Sequence, residues 1–184
     1  MAKSRDQIYN ELLVIKCRQA DKEAFNELVG RWQKRLWNYA FKVTGSESAA
    51  WDIVQETWHG IIKGIKKLDD AALFPRWAFR IANNKCMDWL RRQQVQLRLN
   101  HELTKNIKNE SDEKSNSDEK SEVLQKAVHK LPADRRALLI LRYNEDFEIE
   151  QIAEIIKVPP GTVKSRLHRT LNQLREIVEH AQNG

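Results

Sequence analysis

The apolar positions along the chain recur with a helical period. Phe25, Leu28, Val29, Trp32, Leu36, Tyr39, Ala40 and Val43 return at three- and four-residue intervals and predict a long amphipathic helix ending at Thr44-Gly45-Ser46. Ser46 or Ser48 can cap a second helix, whose stripe is Ile53, Val54, Thr57, Trp58, Ile61, Ile65 and Leu68. A third follows on Phe74, Trp77, Ala78, Ile81, Ala82, Cys86, Trp89 and Leu90, and Ile8, Leu12 and Ile15, with Leu13, predict a shorter leading helix. With six Gly and four Pro in 184 residues and few alternating β-branched runs, little turn chemistry is left for sheets, so the expected fold is all-α.

The pattern breaks between about Asn106 and Ser121, where Lys, Glu, Asp, Ser and Asn dominate and acids outnumber lysines. Ser-Asp-Glu-Lys-Ser occurs at 111–115 and again at 117–121, a short duplication typical of low-complexity sequence. This stretch reads as a flexible polar linker. Beyond it, Val123, Leu124, Ala127, Val128 and Leu131 form a stripe up to Pro132, and Ala137, Leu138, Leu141 and Tyr143 form another. Glu150–Ile156, the tight Val158-Pro159-Pro160-Gly161 and then Thr162–Ile177 read as helix, turn, helix. The expected organisation is two small helical domains, 1–98 and 122–184, joined by a linker over 99–121, the second a helix-turn-helix domain.

Composition narrows the chemistry. The 32 Lys and Arg against 26 Asp and Glu give a formal charge of +6, which favours polyanions through counterion release. Cys17 and Cys86 lie far apart, outside any CxxC spacing, and the five His residues form no HExxH or Cys/His metal pattern. No glycine-rich phosphate loop is present either. No catalytic site, metal, cofactor or small-molecule substrate is therefore expected. The N-terminus lacks a signal-peptide apolar segment, and the longest aliphatic runs, Leu12–Ile15 and Ala137–Leu141, fall far short of the roughly 20 residues that span a bilayer. A cytoplasmic protein without membrane insertion is expected.

In a helix-turn-helix the second helix enters the major groove, where its N-terminal side chains meet base edges and phosphates. Thr162 is placed as an N-cap, Val163, Leu167, Leu171 and Leu174 as the buried stripe. Lys164, Arg166, Arg169 and Arg175 bring four positive charges before the first acid, Glu176, and Ser165 and His168 add hydrogen-bonding groups. The same residues also suit the solvated face of an ordinary basic helix; the helix and turn ahead of them favour DNA.

Leu131-Pro132, Leu141-Arg142-Tyr143, Ile152-Ala153-Glu154-Ile155 and the run from Gly161 to Arg169 resemble the C-terminal promoter-binding domain of bacterial sigma factors. In the first half, Asp52-Ile53-Val54-Gln55-Glu56-Thr57-Trp58 resembles that family's polymerase-binding helix. Trp77 to Asn84 and Met87 to Arg92 resemble its promoter-melting helix. Matches in the family's order imply the reduced, two-domain architecture of the extracytoplasmic-function (ECF) group. The first domain would bind core polymerase and the −10 element, and the second the −35 element. The resemblance further implies partners: core RNA polymerase through its largest subunits, promoter DNA and an anti-sigma factor that masks the domains.

By the same resemblance, Asp52, Ile53, Gln55, Glu56 and Trp58 would dock on the coiled coil of the largest subunit, Trp58 serving equally well as core. Phe79, Arg80, Asn83, Asn84, Lys85, Asp88, Arg91 and Arg92 would engage the −10 region and melted DNA, and Thr162, Lys164, Ser165, Arg166, His168 and Arg169 the −35 element. Interleaved cations and aromatics suit backbone binding with base stacking, although Trp77 and Trp89 also fit the buried stripe. The loop Leu68–Pro75, implied to capture a flipped base, carries Asp69 and Asp70. Lys157 stands where a glycine usually closes the first helix of the motif, Pro160 where an aliphatic residue is common, Glu148 at a usual Ser/Thr start, and Asn83 and Lys85 where an Arg and an apolar residue are frequent. The rival reading is a stand-alone helix-turn-helix regulator that binds a symmetric duplex without polymerase.

Overall fold

The computed structural model describes residues 4–103 and 127–182 of the backbone, with side chains through residues 99 and 179 of those segments. Helices are α1 (Arg5–Arg18), α2 (Lys22–Thr44), α3 (Glu47–Gly64), α4 (Phe74–Leu103), α5 (Ala133–Tyr143), α6 (Ile149–Ile156) and α7 (Pro160–Gln182), with short 3₁₀ turns at Ile65–Lys67 and Ala71–Leu73. No strand occurs among the described residues.

Local chemistry sets the ends. The Ser4 hydroxyl accepts from the Gln7 amide while the Gln7 side chain accepts from Ser4 N, a reciprocal cap for α1. Asp21 caps α2 through the Ala24 amide, and α2 closes on Gly45 in the left-handed region, φ 72°. Of the two expected caps for α3, Ser46 is the one used, accepting from Ala49 N. α4 runs to Leu103, past the expected linker start at 99; expectations for 104–126, including the duplicated segment, Val123 and Leu124, lie outside the described residues.

In the first domain α2, α3 and α4 pack with α1 around Leu28, Leu36, Tyr39, Val43, Val54, Ile61, Phe74, Phe79 and Cys86, all nearly inaccessible. Trp32, Tyr39 and Phe79 meet edge-on with centroids 5.3–6.3 Å apart. α1 presents a different face from the one its spacing suggested. Leu13, Val14 and Cys17 are buried, while Ile8, Leu12 and Ile15 are about half exposed. Those three occupy one stripe, but the covering surface of α2 fits the neighbouring one.

The second domain packs α5, α6 and α7 around Leu138, Leu141, Ile152, Ile155 and Val163. Tyr143, expected on the α5 stripe, is 58% exposed beyond the last buried turn. Lys157 closes α6 in the left-handed region, φ 57°, as its place in the motif implies. The two domains touch: α6 lies on α4 and α5 on α2, and Phe147 meets Phe79 edge-on at 5.3 Å.

Candidate nucleic-acid interface

α7 begins at Pro160, not at a Thr162 cap. A proline in the first helical position has its fixed φ already set for the helix and lacks only an N–H that would go unused, so the double proline starts the helix one turn earlier. Pro159 O accepts from the Thr162 and Val163 amides. Val163, Leu167, Thr170 and Leu174 form the buried stripe; Leu171 is 39% exposed, and Thr170 takes its place with its hydroxyl donating to Arg166 O at 2.7 Å. Lys164, Ser165, Arg166, His168 and Arg169 all face solvent and Thr162 is half-buried. The expected reading surface is therefore assembled on one exposed side, with no acidic side chain paired to these cations among the described residues.

Gln151 accepts from Glu148 N at 2.9 Å, and Arg142 donates to Glu148 and to Phe147 O. Glu148 thus starts α6 in spite of lacking a hydroxyl, and its negative charge suits the positive end of the helix.

On α4 the expected DNA-contacting set divides. Phe79 is fully buried among Trp32, Tyr39 and Phe147. Asn83, 6% exposed, accepts from the Tyr39 hydroxyl at 2.8 Å. Neither reaches the surface: an aromatic at that register completes the core, and a buried phenol needs an acceptor. Asn84, Asp88, Arg91 and Arg92 are exposed and Arg80 is half-buried, with Asp88 and Arg91 paired at 3.0 Å. Trp77 and Trp89 are partly buried against the core.

On α3, Ile53 (3% exposed) and Trp58 (8%) belong to the core, Trp58 meeting Phe25 edge-on, so they supply no docking surface. Asp52 and Gln55 are exposed. Glu56 is half-exposed and takes Lys85 of α4 at 2.7 Å, a hydrogen bond that holds its carboxyl below the usual range. A residue expected on the polymerase and one expected on DNA are thereby joined. The exposed stripe continues through His59, with Trp51 at one end and Ile62 at the other. Trp51 lies 5.8 Å from Trp37, which stacks on Phe41 at 5.1 Å. Helical period alone points to Trp51 and Ile62 as outward-facing, a signal overshadowed by the more familiar motif around them.

Cys17 and Cys86 are buried thiols, pushed up to about 11 and about 12 by desolvation. Among the described residues no three His, Cys, Asp or Glu side chains converge as a metal site, and no helix is long and apolar enough to cross a membrane.

A helical two-domain protein whose second domain offers an exposed cationic helix after a tight turn is of the helix-turn-helix DNA-binding class. Comparison with known proteins narrows this. Sigma-70 region 2 matches residues 28–95 and Sigma-70, region 4 matches residues 121–174. The chain is 30% identical over 186 residues to the ECF RNA polymerase sigma-E factor of Haemophilus influenzae, covering 95% of this chain and 96% of that one. It is 28% identical over 170 residues to the ECF RNA polymerase sigma factor SigW of Bacillus subtilis, covering 86% and 91%. The chain belongs to the ECF RNA polymerase sigma factors, the initiation factors through which RNA polymerase recognises promoters.

Two solved structures share the fold with a TM-score of 0.69. One is the sigma factor RpoE in complex with the anti-sigma factor NepR from Bartonella quintana, 22% identical and covering 84% of this chain and 96% of that one. The other is CnrH in complex with the cytosolic domain of CnrY, 20% identical and covering 94% and 98%.

Proposed function

We propose the following division of labour for this sigma factor. Residues 122–184 read the −35 element through Lys164, Ser165, Arg166, His168 and Arg169, with Thr162 framing the start of the helix. Residues 1–98 bind core polymerase and handle the −10 element. The observation that carries this is the solvent-facing cationic end of α7, without an acidic partner among the described residues, which can approach base edges and phosphates together.

The polymerase surface is the outward stripe of α3, with Asp52, Gln55 and Glu56 as polar registration and Trp51 and Ile62 as apolar anchors. Exposed aromatic and aliphatic side chains flanked by polar groups are the composition of an interface centre. Arg80, Asn84, Lys85, Asp88, Arg91 and Arg92 line the route for opened DNA on α4. The protein acts in the cytoplasm, without catalysis of its own. The complexes formed by RpoE and CnrH support an anti-sigma partner here too. Run-off transcription with purified bacterial core polymerase on a genomic promoter library tests the reading. Discrete starts that require this protein are expected; tight, polymerase-free binding to a symmetric duplex with no new starts would favour the stand-alone regulator.

A further inference from the structure

The first turn of α4 holds a cation, Arg76, outside the set assigned to DNA above. Arg76 Nη1 donates to both carboxylate oxygens of Glu154 on α6, at 3.0 and 2.8 Å, across the boundary between the domains. The pair closes a small cleft of about 80 Å³ lined by Leu68, Leu73, Trp77 and Arg80. Arg80 has no acidic partner of its own among the described residues. Two guanidinium groups in a cleft also lined by an indole supply the cations and the aromatic ring with which proteins hold a nucleic-acid backbone next to an unpaired base. Here a carboxylate of the same chain takes the anion's position.

We infer that the Arg76–Arg80–Trp77 cleft is a phosphate-binding subsite for opened promoter DNA, and that Glu154 occupies it as an intramolecular stand-in while the domains are together. This rests on the promoter-binding reading of α4 given above. Three further contacts hold the domains in register. Arg35 Nε and Nη2 donate to one oxygen of Glu145 at 3.0 and 2.8 Å, Arg136 donates to Val43 O at 2.7 Å, and Phe147 packs on Phe79. The closed pair is also the wrong size for a promoter. Elements at −35 and −10 lie about 25 base pairs apart, roughly 85 Å along duplex DNA, whereas a compact chain of this length is only about 40 Å across. Engaging both elements therefore separates α6 from α4, and the same movement withdraws Glu154 and frees Arg76.

The test is fluorescence anisotropy of the full chain, without polymerase, on a labelled mixed-sequence single-stranded 20-mer at low salt. Glu154→Gln should tighten binding by about two- to fivefold, the span set by an exposed ion pair. Glu150→Gln, which removes the same charge from an exposed position of the same helix, should change it much less. Arg76→Gln added to Glu154→Gln should abolish the gain. Equal effects of Glu154→Gln and Glu150→Gln, or a gain that survives Arg76→Gln, would overturn the proposal. Run-off transcription by the wild-type chain reads the promoter-binding function separately: active transcription with no specific effect of Glu154→Gln sinks only the masked subsite, whereas absence of any polymerase-dependent start sinks the reading beneath it.

Discussion

At the scale of single residues, burial decides which motif positions can touch a partner. Ile53, Trp58, Phe79 and Asn83 all sit within family-like motifs, yet the first three fill the core and the fourth satisfies the Tyr39 phenol. A motif reports which residues recur together, and periodicity reports which face they occupy; where the two disagreed, as at Trp58, the buried face prevailed. Cys86, lifted to about 12 by burial, should fail to react with a thiol reagent in the native protein at about pH 8 and react on unfolding. Fast native labelling would contradict its packing.

Glu145 gives a pH dependence. Burial lifts its carboxyl above the usual range, and the Arg35 partner only partly offsets this. The folded protein thus holds this proton more tightly than the unfolded chain does. That contribution is complete below the ordinary carboxyl value and lost as pH rises through the raised one. Wild type should lose melting temperature relative to Glu145→Gln as pH rises above the ordinary carboxyl range. A gap that is constant, or widens in favour of wild type, would show that the pair with Arg35 outweighs desolvation.

At the scale of elements, helix existence was legible from spacing, while ends and faces depended on partners. The double proline moved the start of α7, and α1 turned a face that only the surface of α2 could select. Lys157 bears a left-handed φ that costs a side-chain-bearing residue about 1 kcal/mol or more. Lys157→Gly, offset in part by glycine's unfolded-state freedom, should raise the thermal midpoint by about 1–2 °C. A lowered midpoint would show that the lysine side chain contributes more than the strain costs. Gly64 faces the Trp77 ring, and a Cβ there would lie 2.7 Å from Cζ2 and 3.2 Å from Cη2. Gly64→Ala should therefore cost about 1–3 kcal/mol by overpacking, read as a lower unfolding midpoint in denaturant with shifted tryptophan fluorescence. A neutral effect would mean that the Trp77 ring is free to move away from α3.

At the scale of the whole molecule, two helical units and a helix-turn-helix could be read from periodicity and a change of composition. Their contact could not. Arg76 with Glu154 and Arg35 with Glu145 join residues far apart in sequence, and no local pattern announces such pairs. Trp51 and Ile62 differ from these pairs, because the helical period of α3 already sets them on its outward face, where both are about half exposed. The proposed division of labour gives polymerase docking and DNA reading to separate surfaces, so a change on α7 should leave the α3 stripe intact.

The measurement that tests this account most directly is run-off transcription from a promoter selected by the wild-type protein, using Lys164→Ala/Arg166→Ala with core-polymerase binding measured in parallel. Each base- or phosphate-directed cation contributes about 1–3 kcal/mol. The account predicts loss of at least about tenfold in transcript with polymerase binding unchanged. Undiminished transcript from that promoter would contradict the assignment of promoter reading to α7.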